Sequence, residues 1–254
     1  MSAGASAAAA ASSLDGRTAL VTGAGSGLGA AIARALHEAG ARIVLADLAL
    51  DRARAVAAHI DAGGERVLAI DCDVSRAEAA ESAVARTLER FGTLDVLVNN
   101  AGTDVTIDLE HLSIEDWDRV LATNLRGPFL LAKAALAALR RGDEGRGGHI
   151  VNIASTAARR AWANASAYHA SKWGLVGLSQ ALYAELRGQG IRVSSVVAGG
   201  MRTPFLLDRF KDLDPAKLQD PANVARAVHF VLTMPRESIV PEIMVLPLEE
   251  SSWP

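Results

Sequence analysis

From Thr18 onward, short apolar or β-branched runs alternate with longer segments of helical period. This alternation restricts the chain to repeated strand–helix units wrapped on both faces of a mostly parallel sheet. The runs predicted as strands are Thr18–Val21, Arg42–Ala46, Val67–Ile70, Val96–Val98, His149–Ile153, Arg192–Val197 and Glu242–Leu246. Between them lie helical patterns at Gly29–Ala39, Leu50–Ala62, Arg76–Phe91, Ser113–Leu139, Ala167–Arg187 and Pro221–Thr233. The strands read as continuous apolar runs, as strands buried on both faces should. Gly40, Gly92 and Gly190 each stand just past a helical segment, where a left-handed closing residue is needed. The expected fold class is therefore α/β: one doubly wound, seven-stranded, mostly parallel sheet flanked by helices.

Composition narrows the ligand class. The chain has 254 residues, 50% of them apolar, enough for one well-buried core. Residues 14–254 are read as a single domain, because no repeat or composition shift marks a linker. Met1 to Ser13 are almost all Ala, Ser and Gly, without the cationic start or Leu-rich run of a secretory signal, and are read as a flexible tail. A net charge of -3 gives no general attraction to nucleic acid or anionic membranes. Charges such as Arg34, Glu38, Asp47 and Lys133 interrupt every stretch long enough to span a bilayer. A soluble protein with a small-molecule ligand is expected. The lone Cys72 excludes an intrachain disulfide and fits a reducing, cytoplasmic setting. The six histidines, His37, His59, His111, His149, His169 and His229, show no ligand spacing, so no metal site is expected. Gly142–Gly148 reads as a surface loop. Met201–Pro221 reads as a partly helical lid, with Phe205, Leu206, Leu207 and Phe210 as its apolar content.

The turn Thr22-Gly23-Ala24-Gly25-Ser26-Gly27-Leu28-Gly29 closes the first strand and opens the first helix. Glycines there let a phosphate approach backbone N–H groups at a helix N-terminus, the mark of a Rossmann-like dinucleotide site. Gly25, Gly27 and Ala30 also fit the general register, so the pattern alone does not assign each glycine. Asp47 ends the second strand, at the distance from the glycines where a carboxylate reaches the adenosine ribose. It would repel a 2′-phosphate, and neither Ser26 nor Leu48 supplies a cation, so NAD(H) is expected over NADP(H). Two further loops follow strands: Asp71-Cys72-Asp73-Val74 and Asn99-Asn100-Ala101-Gly102. Asp73 could accept from the adenine amino group or simply cap the helix near Arg76. The candidate cofactor contacts are Gly23, Ser26, Gly27, Leu28, Gly29, Asp47, Leu48, Asp73, Val74, Asn100, Ala101 and Gly102.

Tyr168 and Lys172 are four apart in a helical segment, so their side chains share a face. An ammonium beside a phenol favours the phenolate and makes Tyr168 a workable acid or base, although such a pair is also common on ordinary helix surfaces. Ser155 ends the fifth strand, where its hydroxyl could orient a substrate oxygen. His169 should point away from the tyrosine, to a helix surface or interface. Arg159 and Arg160 stand near the expected substrate mouth as solvated charge or as receivers of an acidic substrate. Trp162 and Trp173 read as packing or interface residues, with Trp162 also able to line the pocket.

Together Thr22-Gly-x-x-x-Gly27-x-Gly29, Asn99-Asn-Ala-Gly102, Asn124, Ser155 and Tyr168-x-x-x-Lys172 resemble the short-chain dehydrogenase/reductase family over roughly Leu14 to Thr203. The resemblance implies Tyr168 as catalytic acid/base, Lys172 as holder of the nicotinamide ribose and Ser155 as the hydroxyl that steadies the substrate oxygen. It implies that Asn124 kinks its helix and holds a water in a proton relay, and that Thr203 contacts the nicotinamide carboxamide. It also implies hydride transfer at a secondary alcohol or ketone, and a tetramer or dimer paired through Ser113–Leu139 and Ala167–Arg187. A dinucleotide-binding sensor without turnover, or a relative performing dehydration or epimerisation, would share these motifs. Two departures stand out. Ala198-Gly199 replaces the family's usual Pro-Gly, from which a looser loop is expected. Ile239 to Pro254 lacks the usual glycine-rich ending and carries Pro241, Pro247 and Trp253 instead.

Overall fold

The computed structural model describes residues 13–145 and 147–250; the tail through residue 12 and Trp253 lie outside them. The strands are β1 (Thr18–Thr22), β2 (Arg42–Asp47), β3 (Val67–Asp71), β4 (Val96–Asn99), β5 (His149–Ser155), β6 (Arg192–Ala198) and β7 (Glu242–Val245). Every pairing among them is parallel, in the order β3-β2-β1-β4-β5-β6-β7. The helices are α1 (Gly27–Glu38), α2 (Leu50–Ile60), α3 (Ala77–Phe91), α4 (Ile114–Leu121), α5 (Gly127–Gly145), α6 (Ser166–Leu186), α7 (Pro204–Leu207) and α8 (Pro221–Thr233). Each strand lies within two residues of its predicted run.

The period of two along each strand divides the core between the sheet faces. Ala19 and Val21 of β1 pack with Ile32 and Leu36 of α1 and with Val224 and Val228 of α8. Leu20, between them, belongs to the other face with Leu97, Ile150, Val84 of α3 and Leu131 of α5. Burying each Val, Leu or Ile side chain contributes about 1.5–3 kcal/mol before the entropy cost of ordering it. The strand order reverses at β1, which pairs β2 on one side and β4 on the other. Loops leaving β1 and β4 therefore part in opposite directions and leave a crevice at the carboxyl ends of the strands.

Three segments differ from their sequence reading. The single helix predicted over Ser113–Leu139 is α4, a five-residue π-helical turn at Ala122–Arg126, and α5. The inserted residue of a π turn barely disturbs apolar periodicity, so the break left no trace in the pattern. Gly142–Gly148 is not simply a surface loop. Gly142 and Asp143 are buried, and Asp143 is left-handed at φ 50°. The Asp143 N–H donates to Asp95 at 2.5 Å, and its carboxylate pairs with Arg17 at 3.6 Å and with Arg236. Met201–Pro221 is an excursion closed at its base. The Arg202 N–H donates to the Gln219 carbonyl at 2.9 Å, and the Gln219 N–H donates to the Gly200 carbonyl at 3.2 Å.

Helix α1 sits close to β1 because Gly29 has no side chain. A Cβ there would lie 2.2 Å from the Gly23 carbonyl oxygen and 2.6 Å from Asn100 Nδ2. Gly177, exposed in α6, has nothing within 4 Å of that position. We predict that Gly29→Ala destabilises by about 1–3 kcal/mol through overpacking, whereas Gly177→Ala stabilises by about 0.5–1 kcal/mol through helix propensity. Urea denaturation of the two variants checks this; equal effects would refute the packing role of Gly29.

Candidate active site

A cleft of about 660 Å³ runs from the β1–α1 turn across the switch point to the carboxyl end of β5. Gly23, Ser26, Gly27, Leu28, Asp47, Leu48, Asp73, Val74, Asn100, Ala101, Gly102, Ser155, Tyr168, Lys172 and Thr203 all line it. Of the predicted site residues, Gly29 and Asn124 do not. Gly29 instead allows the helix–strand approach described above, and Asn124 acts from behind the wall.

The glycine turn fits a dinucleotide by its backbone. Gly23 and Gly27 take φ of +61° and +52°, and a Cβ on Gly27 would come within 3.3 Å of Thr203. Gly25 serves the turn itself: its N–H donates to Asp47 Oδ2 at 2.8 Å, and a Cβ there would meet the carboxyl group at 2.9 Å. Asp47 Oδ1 accepts from the Ala49 N–H at 2.9 Å and lies 3.4 Å from Arg52. Neither Ser26 nor Leu48 brings a cation to Asp47, but Arg52, in the first turn of α2, does and lines the cleft. Leu48 is exposed at the cleft mouth. Asp73 does not cap the helix. It folds its own loop, accepting from the Ser75 N–H at 3.0 Å and the Ser75 hydroxyl at 2.6 Å. The Asn100 amide is likewise engaged locally, donating to the Thr22 carbonyl at 2.8 Å and to the Gly23 carbonyl at 3.2 Å.

At the other end of the cleft, Tyr168 and Lys172 project from α6 beside Ser155, the last residue of β5. The Ser155 hydroxyl lies beside the Tyr168 phenol and favours its ionised form. Burial pushes its pKa up to about 12, a rise moderated by Ser155 and the Arg209 guanidinium and reinforced by the Asp104 carboxylate. Burial also brings the Lys172 ammonium down to about 8, while Asp104 favours its charge. Lys172 Nζ donates to the Ile153 carbonyl at 2.9 Å and lies 5.7 Å from the centre of the Tyr168 ring. The expected lowering of the tyrosine by Lys172 is not found: burial sets the direction of the shift, and the influences that oppose it come from Ser155 and Arg209.

Asn124 occupies the π-helical turn. Its Oδ1 accepts from the Thr103 N–H at 2.8 Å, and its Nδ2 donates to the Thr103 carbonyl at 2.8 Å and to the Ser171 hydroxyl at 3.0 Å. These bonds tie the loop after β4 to α6, one residue before Lys172. No hydrogen bond joins Asn124 to Lys172 among the described residues.

His169 corrects its sequence reading. It does point away from the tyrosine, but it is buried: Nδ1 lies 2.8 Å from the Ala157 carbonyl oxygen, and Nε2 accepts from the Trp162 N–H at 3.1 Å. It fixes the loop that brings Trp162 to the cleft. Arg159 pairs with Glu242 rather than facing substrate. Phe205 and Leu206 of the lid line the cleft with Trp162, Leu213 and Leu218; Leu207 and Phe210 do not.

Ala198 itself stays within the sheet. Strand β6 continues through Ala198 opposite Val245, and the Gly199 N–H donates to the Val245 carbonyl at 2.9 Å. The Gly200 N–H donates to Glu250 Oε2 at 2.7 Å, so the Glu250 side chain braces the turn that lacks the proline. Glu250 also lines the cleft, as do Thr103 and Arg119. None of the three is part of a local motif, so sequence reading passed over them. Among the described residues, no group of three His, Cys, Asp or Glu side chains could hold a metal ion, and no helix is long and apolar enough to cross a membrane.

Residues 17–214 match the family described as short chain dehydrogenase. The chain is 46% identical over 183 residues to a D-threitol dehydrogenase of Mycolicibacterium smegmatis, covering 72% of this chain and 69% of that protein. It is 40% identical over 195 residues to a trans-4-hydroxycyclohexanecarboxylate dehydrogenase of Sinomonas cyclohexanicum, covering 74% of each. Among solved structures, the 3-ketoacyl-(acyl-carrier-protein) reductase of Brucella melitensis complexed with NADH superposes with a TM-score of 0.86 at 32% identity, over 93% of this chain and 99% of that one. A metagenomic short-chain oxidoreductase in complex with NADP gives 0.80 at 36% identity, over 92% and 98%. The glycine turn, the Ser155–Tyr168–Lys172 cluster and these likenesses agree that the chain belongs to the short-chain dehydrogenase/reductase family.

Proposed function

We propose that this protein is an NAD(H)-dependent oxidoreductase acting on a secondary alcohol or its ketone, with Tyr168 as the general acid and base. The observation that carries the reading is that Ser155 and Tyr168, with Lys172 on the tyrosine's helix face, line one end of a cleft whose other end is the glycine turn. Gly23, Ser26, Gly27, Asp47, Ala101, Lys172 and Thr203 would hold the dinucleotide, which when bound supplies the hydride acceptor or donor. In reduction, Tyr168 Oη gives its proton to the carbonyl oxygen while the Ser155 hydroxyl steadies that oxygen. In oxidation, Tyr168 takes the alcohol proton, and the Lys172 charge favours the phenolate that must form. Asn124 acts by holding the Thr103 loop, and a water relay from there to Lys172 would return the proton to solvent.

Trp162, Phe205, Leu206, Leu213 and Leu218 favour a substrate with an apolar body, and Thr103 and Arg119 offer it polar contacts at the cleft wall. Two relatives are named for hydroxy compounds, which supports an alcohol as the reacting group. For the cofactor, the Asp47 carboxylate is 6% exposed and anchored by two backbone N–H groups, whereas the Arg52 side chain is 63% exposed. A fixed negative charge beside a solvated positive one supports NAD(H). The exposed Phe129 on α5 and Trp173 on α6 support a homo-oligomer paired through these helices.

Tyr168→Phe should lower turnover by about 10²–10⁴-fold while NADH still binds. NADH fluorescence with a panel of ketones and alcohols reads both quantities. Binding without turnover in the parent, and no difference from the variant, would leave a dinucleotide-binding protein and not an enzyme. The phenol holds its proton up to about 12, so oxidation by the parent should accelerate as pH rises, and a flat profile would contradict the assigned base. Asp47→Asn should weaken NADH by about tenfold relative to NADPH, the scale of one charge-assisted hydrogen bond. Fluorescence titration with each cofactor measures the ratio, and equal losses would refute Asp47 as the selector. Light scattering tests assembly: Trp173→Asp should dissociate the oligomer, and an unchanged mass would exclude this face.

A further inference from the structure

The excursion from Thr203 to Leu218 meets the body of the protein beside Tyr168. The Phe205 ring lies 6.0 Å from the Tyr168 ring at 40°. The Arg209 guanidinium stacks on Phe205 at 3.8 Å, and Arg209 Nε donates to the Phe205 carbonyl at 2.9 Å. Arg209 Nη1 then reaches Asp104 Oδ2 at 3.0 Å, in the loop after β4. The Asp104 side chain is only 8% exposed, and its Oδ1 is buried without a hydrogen-bond partner; Oδ2 also accepts from Thr106 at 3.3 Å. Asp104 follows Thr103, whose N–H and carbonyl are both gripped by Asn124. One end of the ion pair is therefore anchored to the active-site framework, and the other rides on a segment whose backbone, among the described residues, bonds to the body only at its base and which otherwise rests on the Phe205 packing.

We propose that the Asp104–Arg209 pair is the latch of a lid over Tyr168, and that closure of the lid delivers the Arg209 charge that prepares the tyrosine to release its proton. The inference rests on Tyr168 being the acid and base. The charged and titratable groups facing the phenol are Lys172 from its own helix, Asp104 from the loop after β4 and Arg209 from the lid; Ser155 of β5 is its neutral partner. His169, the next residue, is turned to Ala157 and Trp162. Asp104 is fixed and holds the proton on Tyr168, while Arg209 opposes it. With the lid open, the phenol faces Asp104 without the opposing guanidinium but regains water, whose exclusion is the largest cause of its raised pKa. With the lid shut, Arg209 offsets the carboxylate at the moment when water is excluded from the cleft. Neither residue touches the reacting atoms; both are positioning residues acting through Tyr168.

The chain contains two tyrosines, Tyr168 and Tyr183, so Tyr183→Phe leaves a single phenol whose ultraviolet tyrosinate absorbance can be titrated without any substrate. In that background Asp104→Asn should lower the Tyr168 midpoint, and Arg209→Gln should raise it, each by about one pH unit. Arg209→Lys should stay near the parent, and the double variant should return toward it. Circular dichroism at each pH confines the reading to folded protein, and Asp104→Asn moves the midpoint into the milder range. Chymotrypsin cleavage within residues 205–210 reads the lid directly, and both single variants should be cut about tenfold faster than the parent. Midpoints that do not move, or that move in the same direction, would overturn the coupling, and unchanged cleavage would overturn the latch. Both readouts are independent of turnover. An inactive parent would refute the proposed function while leaving this inference testable, and an active parent with unmoved midpoints would refute this inference alone.

Discussion

The molecule depends on the seam between β1 and β4, where the order of the strands reverses. Thr22 Oγ1 accepts from the Asn100 and Ala101 N–H groups, each at 3.0 Å, while the Asn100 amide returns two bonds to the Thr22 and Gly23 carbonyls. One hydroxyl and one amide thereby join the ends of two strands that pair in the sheet but are far apart in sequence. The Gly23 to Gly29 turn, the start of α1 and the Thr103 loop all leave from this point. A crevice at a switch point is a product of topology. The Thr22–Asn100 bonds give it a defined width.

Behind the reacting residues lies a buried polar chain that fixes α6 against the sheet. Asn99 Nδ2 donates to Asn152 Oδ1 at 2.8 Å, Asn152 Nδ2 donates to Ser179 at 2.8 Å, and Ser179 donates to the Leu175 carbonyl at 2.7 Å. Nearer the cleft, Asn124 reaches Ser171, and Ser171 donates to the Tyr168 carbonyl at 2.8 Å. Buried polar groups left without partners are costly, so such connected networks hold one arrangement strongly. Here the arrangement held is the one that sets Tyr168 against Ser155.

The reacting end is also a place of opposed electrostatics. Burial disfavours charge on both Tyr168 and Lys172, keeping the first protonated and bringing the second within reach of neutral pH. Nearby fixed charges therefore carry more weight here than they would at the surface, because the local dielectric is low. Asp104 acts on both groups and Arg209 on Tyr168 alone, so the side chains that join residues 203–218 to the loop after β4 are also those that set the charge around the phenol.

The sequence by itself determined which segments are strands and helices, the parallel class of the sheet, and the places of Gly23, Gly27, Asp47, Ser155, Tyr168 and Lys172. These are local properties: apolar period, glycine at tight turns, and side chains four apart on a helix face. Tertiary structure alone decided the pairs of Asp104 with Arg209, Gly200 with Glu250 and Asp143 with Arg236, and the burial of His169. It also decided the π turn at Asn124, which only the family resemblance had marked as a kink, and the use of Gly29 for packing and not for the cleft. For the Asp104–Arg209, Gly200–Glu250 and Asp143–Arg236 contacts the physical reason is the same. A contact between residues tens of positions apart leaves no period and no motif, and it exists only once the sheet has brought its loops to one edge.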